Sequence, residues 1–214
     1  TYGPEIVGDY GRSMLVYYPL CLLYAVIFFP LYAFLAGGKL GVRMMIQNIF
    51  PPAITAFATQ SSAATIPVNL QCAEADGISQ EIRNFVVPLC ANIHMAGSMI
   101  TITSCATAVC LMNDLPISLA TVVPFIATLG IAMVASPGAP GGSIMTALPF
   151  LYMVFGPEAG DVNGPICAIM VALYITQDSF GTACNVTGDG ALTLMLTGYA
   201  KKHNIQEVQS GEIL

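Results

Sequence analysis

Two aspartates, Asp178 and Asp189, are the only charged residues in the stretch 162–200, which is otherwise suited to cross a membrane as one helix. A carboxylate at the centre of a bilayer costs about 2.5–3.5 kcal/mol on insertion scales, so such residues persist mainly where they line a polar pathway or bind an ion. Because the two lie about three helical turns apart, they share one helix face with Thr182 and Asn185. We expect this polar stripe to be functional. The alternative is a set of polar residues that hold helices together, although these are more often Ser, Thr or Asn than acids.

The composition indicates an integral membrane protein. Only 8% of the residues are charged and 56% are hydrophobic, whereas about 25% are charged in a typical soluble domain. With so few basic residues, nucleic-acid binding is not expected. The seven cysteines lie mostly in apolar segments without a CxxC pair. They are interpreted as small core residues rather than disulfides or metal ligands.

The apolar segments are of two kinds. Three of them, 14–36, 85–112 and 165–200, are long enough to cross a hydrocarbon core about 30 Å thick. Two other regions consist of paired arms with a short second arm, separated by small-residue or Gly/Pro tips at 60–64 and 136–142. Each pair predicts a re-entrant hairpin whose tip lines an internal cavity, because irregular backbone at membrane depth needs hydrogen-bond partners. Two ordinary kinked spans are the alternative, since Gly and Pro are common in membrane helices.

The predicted fold class is an all-α integral membrane protein with three spanning helices and two re-entrant hairpins. Its elements are an extracellular loop 1–12, a transmembrane helix 13–38, hairpin 1 at 41–76, a transmembrane helix 83–112, hairpin 2 at 116–156, a transmembrane helix 164–202 and a cytoplasmic tail 203–214. Five of the six basic residues then face the cytoplasm and only Arg12 lies outside, as the positive-inside rule expects. No charged-then-apolar leader opens the sequence, so no signal peptide is expected.

The second spanning segment is interrupted by Asn, His, Gly and Ser at 92–98, which predicts an unwound helix. The two tips, this break and the aspartate stripe together supply hydroxyls, carbonyls and carboxylates. Such groups suit a small cation and a zwitterionic substrate, which indicates ion-coupled transport. His94 in the break is a proton relay, a ligand or a hydrogen-bonded core residue, and the sequence leaves these roles open.

Four motifs resemble the dicarboxylate/amino acid:cation symporter family, which has the glutamate-transporter fold. They are TQSSAATIPV at 59–68, NIHMAGS at 92–98, SPGAPGG at 136–142 and DSFGTACNVTGD at 178–189. The resemblance covers nearly the whole sequence. It implies the C-terminal transport core of a multi-pass cell-membrane symporter, not an enzyme, that moves by an elevator mechanism with the second hairpin as outer gate. It also implies that the scaffold helices forming a homotrimer are absent from this sequence.

The resemblance also assigns residues to roles. Asp178 would bind the substrate ammonium, Asn185 the α-carboxylate, and the second tip would close over the substrate by its main chain. The implied substrate-binding set is Ser61, Ser62, Ser98, Gly138, Ala139, Asp178, Gly181, Thr182 and Asn185. The implied sodium ligands, several of them through main-chain oxygens, are Cys90, Asn92, His94, Met95, Asn185 and Asp189. No organic cofactor is expected, and Na⁺ is the expected coupling ion.

Several positions depart from the family pattern. Gly181 stands where members with acidic substrates have arginine, and Gln60 in the first tip is not arginine either. A buried side-chain carboxylate would have no cation partner, so a small neutral amino acid such as serine or threonine is favoured, as in the family's sodium/serine-threonine symporters. Ala96 replaces an acid, which puts a third sodium in doubt. His94 replaces an asparagine, which leaves H⁺ coupling possible.

Other functions stay open at this point. A proton-coupled or dicarboxylate symporter of the same fold is the nearest alternative. An intramembrane aspartyl protease is less favoured, because its two carboxyls must share a proton, whereas Asp178 and Asp189 are separated by roughly 16 Å along one helix. A channel is weaker still, since closed hairpin tips favour an occluded site.

Overall fold

The computed structural model describes residues 4–203 and 205, without the side chains of 4–10, 12, 13, 158 and 159. The described residues form helices and no strand, which confirms the all-α fold class. Most of the predicted tail lies outside the described residues. The helices are α1 (Pro4–Asn48), α2 (Phe50–Thr59), α3 (Ser62–Ala75), α4 (Gln80–Ile93), α5 (Ala96–Met112), α6 (Leu119–Ala132), α7 (Gly142–Ala147), α8 (Tyr152–Ala159) and α9 (Pro165–Lys202), with 3₁₀ turns at Met133–Ala135 and Leu148–Phe150.

Helix α1 begins earlier than the sequence analysis predicted. The segment expected to be a loop up to residue 12 is helical from Pro4 onward. A proline suits the first turn of a helix because its missing N–H would have no partner there. The helix bends at Gly37 and Gly38, where Gly38 has φ 59°, a left-handed conformation that glycine adopts without steric cost. This bend separates the first long apolar segment from the first arm of hairpin 1.

In hairpin 1, α2 and α3 pack against each other around a tip that is shorter than predicted. Gln60 adopts a left-handed conformation with φ 53°, Ser61 is extended, and α3 begins at Ser62. The Ser61 hydroxyl accepts a hydrogen bond from Ala64 N at 3.1 Å, so it caps the helix. Because this cap starts α3 at once, only residues 60 and 61 of the predicted tip 60–64 are non-helical.

The break between α4 and α5 is likewise narrower than the predicted unwound segment 92–98. Only His94 and Met95 lie outside the helices. Hairpin 2 follows, with α6 and a 3₁₀ turn as its first arm and α7 and α8 in its second. Its tip is the non-helical stretch 136–141, which ends at Gly141 with φ 70°.

Helix α9 is central in the fold and contacts α1 to α5 and α8. One buried apolar cluster joins its first half to α5, α6 and α8, and a second joins its later part to α1. The polar stripe of α9 lies between these two clusters. Three helical segments of the described chain, Met14–Asn48, Gln80–Met112 and Pro165–Lys202, are long and apolar enough to cross a membrane.

Candidate functional site

The two hairpin tips meet each other beside α9. Gly138 O in the second tip accepts hydrogen bonds from Ala63 N at 2.9 Å and from the Ser61 hydroxyl at 2.8 Å. Gly138 N donates to Asn92 Oδ1 at 3.3 Å, at the end of α4. A Cβ at position 138 would stand only 2.6 Å from Ala91 O, so glycine permits this close approach. The tips and the α4 end therefore form one hydrogen-bonded junction.

Asp178 lies under this junction with 3% of its surface exposed. Its Oδ1 accepts hydrogen bonds from Tyr174 Oη at 2.7 Å and Thr182 Oγ1 at 3.1 Å, and its Oδ2 accepts from Gly141 N at 3.3 Å. Neither described salt bridge includes Asp178. A buried carboxylate held by neutral donors is suited to bind a cationic group.

Asn185, two turns further along α9, connects the site to the break between α4 and α5. Its Oδ1 accepts from Gly97 N at 2.7 Å and Ser98 N at 3.3 Å, and its Nδ2 donates to Ser98 Oγ at 2.8 Å. Gly97 and Ser98 belong to the first turn of α5, whose N–H groups have no partner within the helix. Asn185 thus caps α5 from a neighbouring helix.

A small cavity separates the tips from α9. The space open to the centre of a water molecule is about 10 Å³, roughly the size needed for one water. A molecule larger than one water would therefore enter only if a tip moved. The lining residues are Gln60, Ser62, Met95, Pro137, Gly138, Ala139, Ser143, Asp178, Thr182 and Asn185.

Most of the predicted substrate contacts line this cavity, and three do not. Ser61 and Ser98 lie behind it, bonded to Gly138 O and to Asn185. Gly181 faces away, because a Cβ there would stand 2.6 Å from Thr101 Oγ1 on α5. The sequence predicted direct substrate contact for Gly181, whereas in the structure this glycine sets the spacing between α9 and α5.

Two residues of the site were missed in the sequence analysis. Tyr174 is fully buried and donates to Asp178, and its hydroxyl also lies 3.4 Å from Ser98 Oγ. Its position four residues before Asp178 puts it on the same helix face, so the spacing was a usable signal. Ser143 on α7 also lines the cavity. Helix α7 is too short for the spacing of its polar residues to indicate which face meets the site.

The predicted ion ligands fall into two groups. Asp189, with 1% of its surface exposed, has Oδ1 3.0 Å from His94 Nδ1, and Cys90 O accepts His94 N at 2.8 Å. Closer to the second tip, Asn92 bonds to Gly138, and Met95 Sδ lies 3.9 Å from Ser143 Oγ. The second group lies at the tip junction and the first group one helical turn beyond Asn185.

The close crossing of α5 and α9 gives a stability prediction. A Cβ on Gly97 would overlap Gly181 O and stand 2.8 Å from Cys184 Cβ. Gly97→Ala should therefore lower the unfolding free energy by about 1–3 kcal/mol, as overpacking does. Gly130→Ala is the matched control, because its Cβ would lie 3.5 Å from Met99 Cε, an ordinary contact. Melting temperatures in detergent test this, and equal values for the two variants would contradict the tight crossing.

Comparison with known proteins decides the family. The sequence model of the sodium:dicarboxylate symporter family matches residues 1–199. The chain belongs to this family. The serine/threonine transporter SstT of Streptococcus agalactiae serotype III is 32% identical over 202 residues, and SstT of Streptococcus thermophilus strain CNRZ 1066 is 30% identical over 200 residues. Each alignment covers 94% of this chain and 48% of the relative, so the chain spans about half the length of these curated relatives.

Membership in the sodium:dicarboxylate symporter family confirms the resemblance found in the sequence motifs. The matched relatives are transporters and not enzymes, so the intramembrane protease alternative finds no support among them. Together with the three membrane-capable helices, the family places this chain among multi-pass membrane proteins.

Proposed function

We propose that the protein is a sodium-coupled symporter that imports a small neutral amino acid such as serine or threonine. The observation that carries this proposal is Asp178, a buried carboxylate without a basic partner in the described chain, at a cavity closed by two hairpin tips. The names of the relatives, serine/threonine transporters, support the same substrate class.

The amino acid would bind by its two charged ends. Its ammonium would give Asp178 a donor with a full positive charge, whereas its present donors are two hydroxyls and one backbone amide, and so would neutralise the buried carboxylate. Asn185 Nδ2 donates to Ser98 Oγ and to Met95 Sδ, and one of these N–H groups would donate to the α-carboxylate instead, while Oδ1 still caps α5. Thr182 and Ser62 would remain to contact a short side chain, since both line the cavity.

The cavity lining explains why an acidic substrate is disfavoured. Its lining residues include no Arg, Lys or His. Gln60 Nε2 donates to Ser179 Oγ at 3.0 Å and to Ile175 O at 3.4 Å, so this amide is already engaged with α9. The second carboxylate of aspartate or glutamate would be buried unpaired, at a cost of several kcal/mol.

Movement of the second tip would open the site. Gly141 N holds this tip over Asp178, and the two hydrogen bonds to Gly138 O hold it against the first tip. Opening would break only these three hydrogen bonds at the two contacts. We assign this tip as the outer gate of an elevator-type cycle. Trimer formation would belong to the part of the relatives that this chain does not match.

Binding measurements on the full-length protein in detergent test the substrate class. Serine, threonine, alanine and aspartate are compared in sodium and in choline. Serine or threonine should bind only in sodium, and aspartate should bind at least ~100-fold more weakly because of its unpaired carboxylate. Tightest binding of aspartate would overturn the neutral substrate. Serine uptake into liposomes driven by a proton gradient in choline would overturn sodium coupling in favour of the proton-coupled alternative.

A further inference from the structure

Two of the oxygens expected to hold a sodium ion at Asp189 converge on a side-chain nitrogen of this chain. Asp189 Oδ1 and Asn185 O each lie 3.0 Å from His94 Nδ1. A carboxylate oxygen and a backbone carbonyl oxygen are both acceptors, so Nδ1 satisfies both only when it carries the hydrogen. Converging carboxylate and carbonyl oxygens are also the ligands that hard cations prefer. An N–H group therefore occupies the point where a cation would lie.

The backbone around His94 is shaped to hold the ring there. Gly188 on α9 faces it, and a Cβ at that position would overlap His94 Cε1 and stand 2.9 Å from Nδ1. At the end of α4, His94 N donates to Cys90 O at 2.8 Å, so this predicted sodium ligand already accepts a hydrogen bond. The His94 side chain is 12% exposed and that of Asp189 is 1% exposed. The imidazole thus fills a slot that a glycine leaves open.

We propose that the His94 imidazole takes the place of a sodium ion at Asp189. The neutral Nδ1–H tautomer makes both contacts, so this replacement does not depend on the charge of the ring. This inference rests on sodium coupling, which is part of the proposed function. The coupling sodium would then bind at the tip junction, where the expected ligands are Asn92, Met95 and the second-tip carbonyls. The protein would bind one sodium fewer than a form with asparagine at position 94.

A sodium titration of the melting temperature tests this without any amino acid. His94→Asn shortens the side chain and should free the oxygens of Asp189 and Asn185, so the variant should gain a sodium-dependent rise in melting temperature that exceeds that of the wild type. Choline at equal ionic strength corrects for salt effects. His203→Asn is the matched control, because His203 is exposed and packs on Tyr199 away from the site. A sodium response of His94→Asn equal to that of the wild type would overturn the proposal.

Asp189→Asn gives an independent test if the position 94 variant does not fold. If no sodium binds at Asp189 in the wild type, a plot of the logarithm of serine affinity against the logarithm of sodium concentration should have the same slope for Asp189→Asn as for the wild type. A slope lower by one would show that Asp189 binds sodium and would overturn the inference while leaving sodium-coupled transport intact. Failure of the proposed function is separate, since the wild type would then show no sodium-dependent serine binding at all.

Discussion

Replacing Asp178 with asparagine is expected to weaken serine or threonine binding by about 100- to 5000-fold. Breaking a buried ion pair by removing one partner costs about 3–5 kcal/mol, because the remaining charge is left buried and unpaired. In the complex that remaining charge would be the substrate ammonium. The free protein should lose only the bond from Gly141 N to Oδ2, since Tyr174 Oη and Thr182 Oγ1 can still donate to the amide oxygen. Affinity measured by calorimetry in sodium, together with the melting temperature, separates the two effects.

Asp114→Asn is the control for this substitution. Asp114 is an exposed carboxylate with φ 52°, a left-handed conformation that asparagine also tolerates. This variant should bind serine like the wild type. If Asp178→Asn also bound serine within a few-fold of the wild type, the ammonium would not lie at Asp178. Binding of an amino acid through its ammonium at this carboxylate would then be excluded.

The sequence was sufficient for the parts of the fold that depend on hydropathy and helix period. Three long segments were expected to span, and the polar stripe on α9 followed from the spacing of Asp178 and Asp189. Helical period places Thr182 and Asn185 on that face whatever packs against it. The structure brings Asp178, Thr182 and Asn185 to one cavity.

The remaining features depend on contacts between elements or on local capping, which the hydropathy and the helical period do not contain. The tip of hairpin 1 is short because the Ser61 hydroxyl caps α3, a local bond that competes with a longer loop. The place of Gly181 in a motif indicated a substrate contact. In the structure Gly181 instead faces α5, because α5 and α9 cross closely at Gly97 and Gly181. The contact between His94 and Asp189 joins two segments 95 residues apart. Spacing within one helix carries no information about such a pair.

Asn185→Ala is expected to affect both stability and binding, because this side chain caps α5. Met95 at the start of α5 provides no side-chain cap, so Gly97 N and Ser98 N depend on Asn185 Oδ1. Leaving two buried N–H groups unpaired costs about 1–3 kcal/mol each. The variant should lose about 2–6 kcal/mol of unfolding free energy on that account. It should also bind serine weakly, since the donor for the α-carboxylate is gone.

Asn185→Asp separates the two roles of this residue. Aspartate keeps an acceptor for both amides, and a negative charge at the first turn of a helix is favourable, but it has no Nδ2 donor for a carboxylate. Its melting temperature should therefore lie nearer the wild type than that of Asn185→Ala, while serine affinity falls at least as far. Asn163→Ala, in an exposed turn, should change neither quantity. Equal losses of stability in the two Asn185 variants would show that capping of α5 is not its structural role, and unimpaired serine binding by Asn185→Asp would remove it from the substrate site.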